Sequence, residues 1–407
     1  MSRPVLALGL MSGTSMDGID VALLETDGRG TARPLGGRTF PYPEAFRKRL
    51  AAAVRAVTPA APEARALARE LTDRHAEAVE AFLAGRPEGH RRIEVVGFHG
   101  HTLRHRPRLG ETVQLGCGAR LARRLGLPVV SDFRSEDVRR GGQGAPLVPL
   151  YHACLLAHRP PPQAVLNLGG IANLTWIGPG GALRAGDVAP CNALLDDWVR
   201  RHTGLPFDRD GEVTLRGRAD PARVAAVLAH PFFARPPPRS LDRLDFDTDF
   251  LTGLDLADGL ATAAALVAEA TARLLAVLPA PPRRLWLTGG GRRNRGLVRA
   301  LARRLAVPVA PVEALGRDGD LLEAEAFAYL AVRVCRGLPT SLPETTGVVE
   351  PVRGGVLHRP ESEGAHAGGP HRLAHGEEGG DRQDQERPGP GPEPGLDGEP
   401  EEQPGGE

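Results

Sequence analysis

The sequence predicts an α/β protein whose body folds as two lobes. Three observations carry that reading. Apolar runs of strand length alternate with stretches of helical periodicity through residues 1–359. Three of those strands run directly into glycine turns. The length, 407 residues, also exceeds one ordinary domain of roughly 100–200 residues.

The elements follow in order. Residues 5–8 (VLAL) and 19–24 (IDVALL) read as strands around a polar turn. Leu67, Leu71, Val79 and Leu83 recur at helical spacing and predict a helix over 63–84. Residues 93–98 form a strand, 119–125 a helix, and 128–130 open another strand. Residues 164–168 repeat the theme of a strand followed by glycine. An Ala-rich helix covers 257–278, a strand 285–288, and helices 294–305 and 320–336.

Composition then excludes several classes. The only lysine is Lys48, in the string FRKR, so neither a G-x-x-x-x-G-K-[ST] loop nor a V-A-I-K strand exists. Phosphate chemistry here must rest on backbone N–H groups, metal or arginine. The net charge of +1 is a cancellation. Residues 360–407 hold 12 Gly, 8 Pro and 13 acidic residues against 3 Arg, a net −10, whereas 1–359 carry +11. That acidic tail has too little apolar surface to offset its ordering entropy and reads as disordered. The basic body suits an anionic ligand such as a nucleotide. Aromatic residues are 4% and interleave no basic patch, so nucleic acid is not an expected partner. No run approaches ~18 consecutive apolar residues, and the N-terminus lacks signal-peptide features, so no membrane span is expected. Cys117, Cys154, Cys191 and Cys335 form no C-x-x-C pair and read as reduced thiols of a cytoplasmic protein.

The glycine turns carry the chemistry. The first, residues 9–20 (GLMSGTSMDGID), joins two strands. Its glycines let backbone N–H groups approach an anion, Thr14 and Ser15 add hydroxyls, and Asp17 is a candidate Mg²⁺ ligand. An ordinary hairpin with an Asp-Gly turn explains it equally well. The second, 167–173 (NLGGIAN), is either a second phosphate turn or a bulge where backbones touch. The third, Gly289-Gly290-Gly291, precedes a helix and is either a ligand floor or a plain βα loop.

Together, two hairpin turns and a Gly-rich floor resemble the sugar kinase, Hsp70 and actin superfamily. Its members have a ribonuclease H-like fold and bind ATP between two lobes without a Walker lysine. Longer strings are similar to one family within it, the anhydro-N-acetylmuramic acid kinases. These are GLMSGTSMDGID at 9–20, FHGHT at 98–102, SDFRSED at 131–137, GGQGAPLVP at 141–149, NLGGIAN at 167–173 and DGDLLEAEAFA at 318–328. The resemblance covers about residues 5–350 and leaves the tail outside.

The resemblance implies residues 1–145 with about 337–359 as one lobe and 146–336 as the other, with ATP and Mg²⁺ in the cleft. It implies hydrolytic opening of 1,6-anhydro-N-acetylmuramic acid with phosphorylation of O6, a cytoplasmic step of cell-wall recycling, and a homodimer. Ser12, Gly13, Thr14, Ser15, Met16, Asp17, Gly18 and Ile19 would form the first ATP-phosphate turn. Gly169 and Gly170 would form the second, and Gly289, Gly290 and Gly291 would border adenosine. Asp187 would be the general base. Here the family's D-T-G-P-G-N string stands as Asp187-Val188-Ala189-Pro190-Cys191-Asn192, and FHGHT has His101 where the family has Gln. Cβ atoms at the two former glycine positions are expected to obstruct close backbone approach. Arg134 would clamp a carboxylate of the sugar, or belong to an Asp132–Arg134 network. His99 and Glu323 would line the sugar site, or serve packing and capping. Rival readings are a relative that binds without efficient turnover and an actin- or Hsp70-like ATPase.

The tail gives the first test. Truncation after Arg359 is expected to leave melting temperature and turnover nearly unchanged. A large fall in either means that the tail docks on the body.

Overall fold

The computed structural model describes residues 3–13, 16–56, 58, 61–86, 92–241 and 246–360. Thr14, Ser15 and, apart from Pro360, the acidic tail lie outside the described residues. Residues 1–361 form one compact unit.

The first half builds β1 (Val5–Ser12), β2 (Gly18–Thr26), β3 (Ala32–Pro41), α1 (Glu44–Ala56), α2 (Pro62–Ala84), β4 (Ile93–Arg106), β5 (Glu111–Leu115), α3 (Gly118–Leu125), β6 (Val129–Ser131) and α4 (Ser135–Arg139). Next come α5 (Pro149–Leu156), β7 (Gln163–Leu168), β8 (Ile171–Ile177), β9 (Leu183–Pro190), α6 (Asn192–Thr203), α7 (Pro221–Val227) and α8 (Leu256–Ala276). The chain ends in β10 (Leu285–Thr288), α9 (Arg295–Arg304), β11 (Val309–Pro311), α10 (Leu322–Cys335), α11 (Pro343–Thr346) and β12 (Val356–His358).

Among the described residues the strands form two sheets that repeat one topology. In the first, β1, β2 and β3 make an antiparallel meander, and β4 then β6 add in parallel beyond β1. β12 closes that edge and β5 pairs with β4. In the second, β7, β8 and β9 make the meander, and β10 then β11 add in parallel beyond β7. Two sheets with flanking helices agree with the two-lobed α/β fold the sequence predicts.

Apolar content places the layers. Leu8, Leu10, Val21 and Leu23 face α1, α2 and α3, whereas Ala7, Ala22 and Leu24 on the opposite face pack on α10. α8 meets the second sheet together with α6 and α9. It is apolar enough by length and composition to cross a membrane, with mean hydropathy 1.3 in its most apolar window, but 61% of that window is buried here as core. α5 serves both sheets. Tyr151 and Cys154 join the α10 side, and Leu156 joins Val165 and Trp286.

α10 is the element whose packing departs from the sequence grouping. It falls within 146–336 along the chain, yet it packs on β1, β2 and β4 of the first sheet. Its residues 324–332 are all buried, as expected of a helix apolar on every side. Two glycines permit the approach. A Cβ on Gly9 would stand 1.7 Å from the Ala324 carbonyl oxygen, and one on Gly97 would stand 2.1 Å from that of Phe327. Helix backbone thus lies directly on strand backbone.

Gly9→Ala is expected to cost about 3 kcal/mol, because neither backbone can yield locally. Gly30→Ala, where nothing lies within 4 Å, is expected to leave the unfolding midpoint unchanged. Equal midpoints for the two variants in denaturant titrations would contradict this packing.

Candidate functional site

Three of the site's acids stand on regular elements and gain their geometry from them. Asp187 sits on β9, the edge strand of the second sheet. Its neighbour Val188 is the extra residue of a β-bulge, since Asn173 pairs with Asp187 and Ala172 with Ala189. A bulge redirects the adjoining side chain. Val188, Ala189 and Cys191 are each fully buried in the core. Cys191 has φ −131°, so no left-handed backbone is required there. Ala189 likewise has no positive φ, and the side chains at these departures from the family string fill core space.

The open edge of β9 is covered at Asp187 by the segment 239–241. The Asp187 amide donates to the Arg239 carbonyl at 2.8 Å, and the Leu241 amide donates to Asp187 Oδ2 at 2.8 Å. Among the described residues Oδ1 accepts no hydrogen bond. Burial lifts Asp187 to about 7, opposed by the Leu241 amide and by the charges of Arg239 and Arg134.

Arg134, at the start of α4, is held by three bonds. Nε and one terminal nitrogen donate to His99 Nε2 at 3.1 and 3.0 Å, and the other donates to the Gly144 carbonyl at 2.7 Å. His99 Nδ1 faces the Gly100 carbonyl at 2.9 Å. A carbonyl only accepts, so Nδ1 carries the proton and Nε2 is the acceptor. Burial and the Arg134 charge hold His99 well below its ordinary pKa, which keeps the ring neutral. The alternative Asp132–Arg134 network is not what forms. Asp132 instead accepts from the Ser135 hydroxyl and amide. His99 also borders a cavity of about 290 Å³ with Thr112, Gln114, Ser131 and Asp132.

Glu323 occupies the first turn of α10 and accepts from Asn167 Nδ2 at 3.1 Å. Burial raises its pKa, while Arg134 and Asn167 oppose the rise. Asp20, on the face of β2 toward α10, accepts from the Thr39 hydroxyl at 2.6 Å. Burial lifts Asp20 to about 7, and the charges of Asp17, Glu323 and Asp320 add to this. Asn167 was legible only as part of a string, and Asp20 carried no separate sequence signal.

The three glycine turns differ in what demands glycine. Gly18 and Ile19 belong to β2. A Cβ on Gly18 would meet the Phe40 carbonyl at 2.4 Å, and Ile19 is a core side chain. Met16 has φ +56° and buries its side chain in the same core. These three offer a ligand backbone groups at most. Ser12 is buried, accepts from the Tyr42 hydroxyl at 2.8 Å, and lies 3.0 Å from His101 Nδ1. It braces the turn from inside. Gly13 remains half-buried and Asp17 exposed.

The second and third turns pack together. Gly289 has φ +76°, and its Cβ would strike Asn167 Oδ1 at 2.3 Å. A Cβ on Gly291 would meet Asn192 Oδ1 at 2.7 Å. Packing therefore explains these two glycines. By contrast, a Cβ at Gly169 or Gly290 would make only ordinary contacts, at 3.4 Å or beyond. Those two positions face space. The Gly169 and Gly170 carbonyls accept from the amides of residues 191–193 at the start of α6. Arg292 ties the third turn to the approach to α10, bonding the Gly289 carbonyl at 3.0 Å and Asp320 at 2.7 Å.

Among the described residues no three His, Cys, Asp or Glu side chains stand together as a metal cage. Mg²⁺ ordinarily takes one or two carboxylates and completes its shell with phosphate and water. Asp17 and Asp20 are hard oxygen donors of that kind beside the first turn, and the charge of Asp17 disfavours ionisation of Asp20 until a cation is present.

The family model described as anhydro-N-acetylmuramic acid kinase matches residues 5–360. A Rhizorhabdus wittichii protein of that name is 51% identical over 362 residues, covering 88% of this chain and 99% of its own. A Rhodospirillum rubrum protein of the same name is 52% identical over 356 residues, covering 86% and 94%. Among solved structures, a ROK family glucokinase from Streptomyces griseus in complex with glucose and AMPPNP aligns with TM-score 0.39 and 16% identity, over 80% of this chain and 99% of its own.

The Asp187 environment predicts a pH-dependent stability. Its pKa is about 7 when folded, against an ordinary value of 3.8. Folding takes up a proton between those values, so Asp187 subtracts from stability increasingly as pH rises through that window. Asp187→Asn lacks the titrating group. Its unfolding free energy relative to the parent is expected to rise across the window by about 4 kcal/mol and then level off. A difference that stays flat with pH would refute the assignment.

Proposed function

Because the chain belongs to the anhydro-N-acetylmuramic acid kinase family, we propose that it opens 1,6-anhydro-N-acetylmuramic acid with water and phosphorylates O6 from ATP. The products are N-acetylmuramic acid 6-phosphate and ADP. The observation that supports the chemistry is Asp187: a buried carboxylate of pKa about 7 with one oxygen fixed and the other available. A base is most effective when its pKa lies near the working pH.

Asp187 Oδ1 accepts a proton from the water that attacks the anomeric carbon. The bond from that carbon to O6 breaks, and O6 takes the γ-phosphoryl group as ADP leaves. The low-dielectric setting that raises Asp187 also strengthens every charge interaction around it. Arg134, already oriented by His99 and Gly144, presents its guanidinium to the lactyl carboxylate of the sugar. Glu323, fixed by Asn167, and His99 border the same sugar.

ATP lies in a cleft between two lobes, one around each sheet. Its phosphates take backbone N–H groups of the first turn, at Gly13, Thr14, Ser15, Met16 and Gly18, and approach the second turn at Gly170 and at the open face of Gly169. The adenosine lies along Gly290, with Gly289 and Gly291 holding the floor in place. Asp17 and Asp20 would hold Mg²⁺ jointly with the phosphates. When bound, Mg²⁺ neutralises phosphate charge during transfer. The setting is the cytoplasm, where peptidoglycan fragments are recycled, and the enzyme acts as a homodimer.

Asp187→Asn is expected to lower turnover more than ~100-fold with little change in ATP affinity. The parent's kcat is expected to fall below a pH of about 7, as the base becomes protonated. ATP-dependent formation of the 6-phosphate, followed by mass spectrometry, measures both. Near-parental turnover in Asp187→Asn removes Asp187 as base. Binding of both substrates by the parent without turnover favours a relative that has lost catalysis.

A further inference from the structure

Arg239 makes two hydrogen bonds with the main chain of Asp187, and no sequence motif singles it out. Arg239 lies in the string PPPRSLDR at 236–243, which has neither strand nor helix periodicity. Its side chain is only 4% exposed. Nε donates to the Asp187 carbonyl at 2.9 Å. One terminal nitrogen donates to the carbonyls of Phe232 at 3.2 Å, Phe233 at 3.4 Å and Arg235 at 2.7 Å. The guanidinium stacks 4.5 Å over the Phe232 ring. Its own carbonyl accepts the Asp187 amide at 2.8 Å.

The backbone around it is built for this approach. A Cβ on Gly186 would lie 3.1 Å from the Arg239 amide nitrogen and 3.2 Å from its carbonyl oxygen, so a side chain there would press the segment away. The guanidinium therefore locks residues 232–241 into one arrangement. The Leu241 amide, two residues on, is delivered to Asp187 Oδ2 by the same segment.

Arg239 makes no hydrogen bond to a carboxylate among the described residues. Its recorded bonds all run to backbone carbonyls. A guanidinium buried in this way is an uncompensated charge unless an anion stands nearby, and Asp187 is that anion. Arg134 is the other charged group that faces Asp187, from the start of α4, but its charge is shared with Glu323 on α10 and with Asp137 on α4. Among the described residues no second carboxylate shares the charge of Arg239, and Arg235 adds a like charge beside it.

We propose that Arg239 is a positioning residue for Asp187: it fixes the backbone on which the base stands and holds a permanent positive charge behind it. The proposal rests on Asp187 being the base. Arg239 touches no reacting atom. It sets where the carboxylate points and what fraction of it is ionised at a given pH. A lysine would keep the charge but lose the planar fork that reaches several carbonyls at once.

The test compares the pH dependence of kcat in the parent, Arg239→Gln and Arg239→Lys, with Asp187→Asn in parallel and folding checked by circular dichroism. In Arg239→Gln the acid limb is expected to move up by about one pH unit, because an ionised Asp187 loses one of the two cations that favour its charge. KM for the sugar is expected to stay within about twofold, since no substrate contact is removed. In Arg239→Lys the limb is expected to stay in place while kcat falls about tenfold from misplacement. A folded Arg239→Gln with an unmoved limb overturns the proposal. If Arg239→Gln does not fold, Arg239→Lys decides, and parental kcat there overturns it. Retained turnover in Asp187→Asn overturns the base assignment itself, whereas its loss combined with an unmoved limb in Arg239→Gln overturns only the role of Arg239.

Discussion

The close approach of α10 to the first sheet is the constraint on which the rest of the site depends. With no side chain at Gly9 or Gly97, helix carbonyls rest on strand backbone, and the helix has one depth and one register along β1 and β4. Its first turn then carries Glu323 to Asn167 at the end of β7. The approach to the helix carries Asp320 to Arg292 and so to the third glycine turn. A single helix thus relates groups from both sheets. Its burial on every side explains why it is apolar almost throughout, with Glu325 answered by the Tyr151 hydroxyl.

Charge in this interior is governed by burial more than by pairing. Asp20, Asp187, Glu323 and Glu325 all have raised pKa values with desolvation as the leading cause. His75, His99, His101 and His105 are all lowered for the same reason. Such an environment favours neutral groups, so each retained cation matters. The two whose charges favour the ionised Asp187 are both arginines, and both are held mainly by neutral acceptors: an imidazole and a carbonyl for Arg134, carbonyls for Arg239. That geometry needs a fork with several donors in one plane, which lysine does not have. The near absence of lysine, first an argument against Walker-type loops, is matched here by sites that use arginine for its shape.

Much of the fold was legible because its strands are short apolar runs and its long helices are periodic. The helices at 62–84, 256–276 and 322–335 and the strands at 163–168 and 285–288 lie where periodicity placed them. β3 escaped notice because it is an exposed edge with glycines at 36 and 37. The glycine turns were legible as turns but not in their reasons. Gly18, Gly289 and Gly291 answer to neighbouring protein, while Gly169 and Gly290 leave space. Only a three-dimensional neighbour distinguishes the two cases. Asp20 and Arg239 were not legible as site residues, because the groups that give them meaning are distant in sequence or lie in aperiodic chain.

The placement of Asp187 resolves a conflict that any buried carboxylate proposed as a base must meet. A carboxylate in a sheet interior is well fixed but unreachable, and one on a loop is reachable but loosely held. An edge strand offers a compromise: one side is paired by β8, the other is free. The bulge at Val188 turns the side chain, and the segment 239–241 covers the free side without adding a strand. The cover satisfies the main chain and one carboxylate oxygen, while the second oxygen accepts no hydrogen bond from the described residues. The altered residues that follow Asp187 sit in the core beneath this arrangement. They change what supports the strand from behind, whereas the position of the carboxylate is set from the edge.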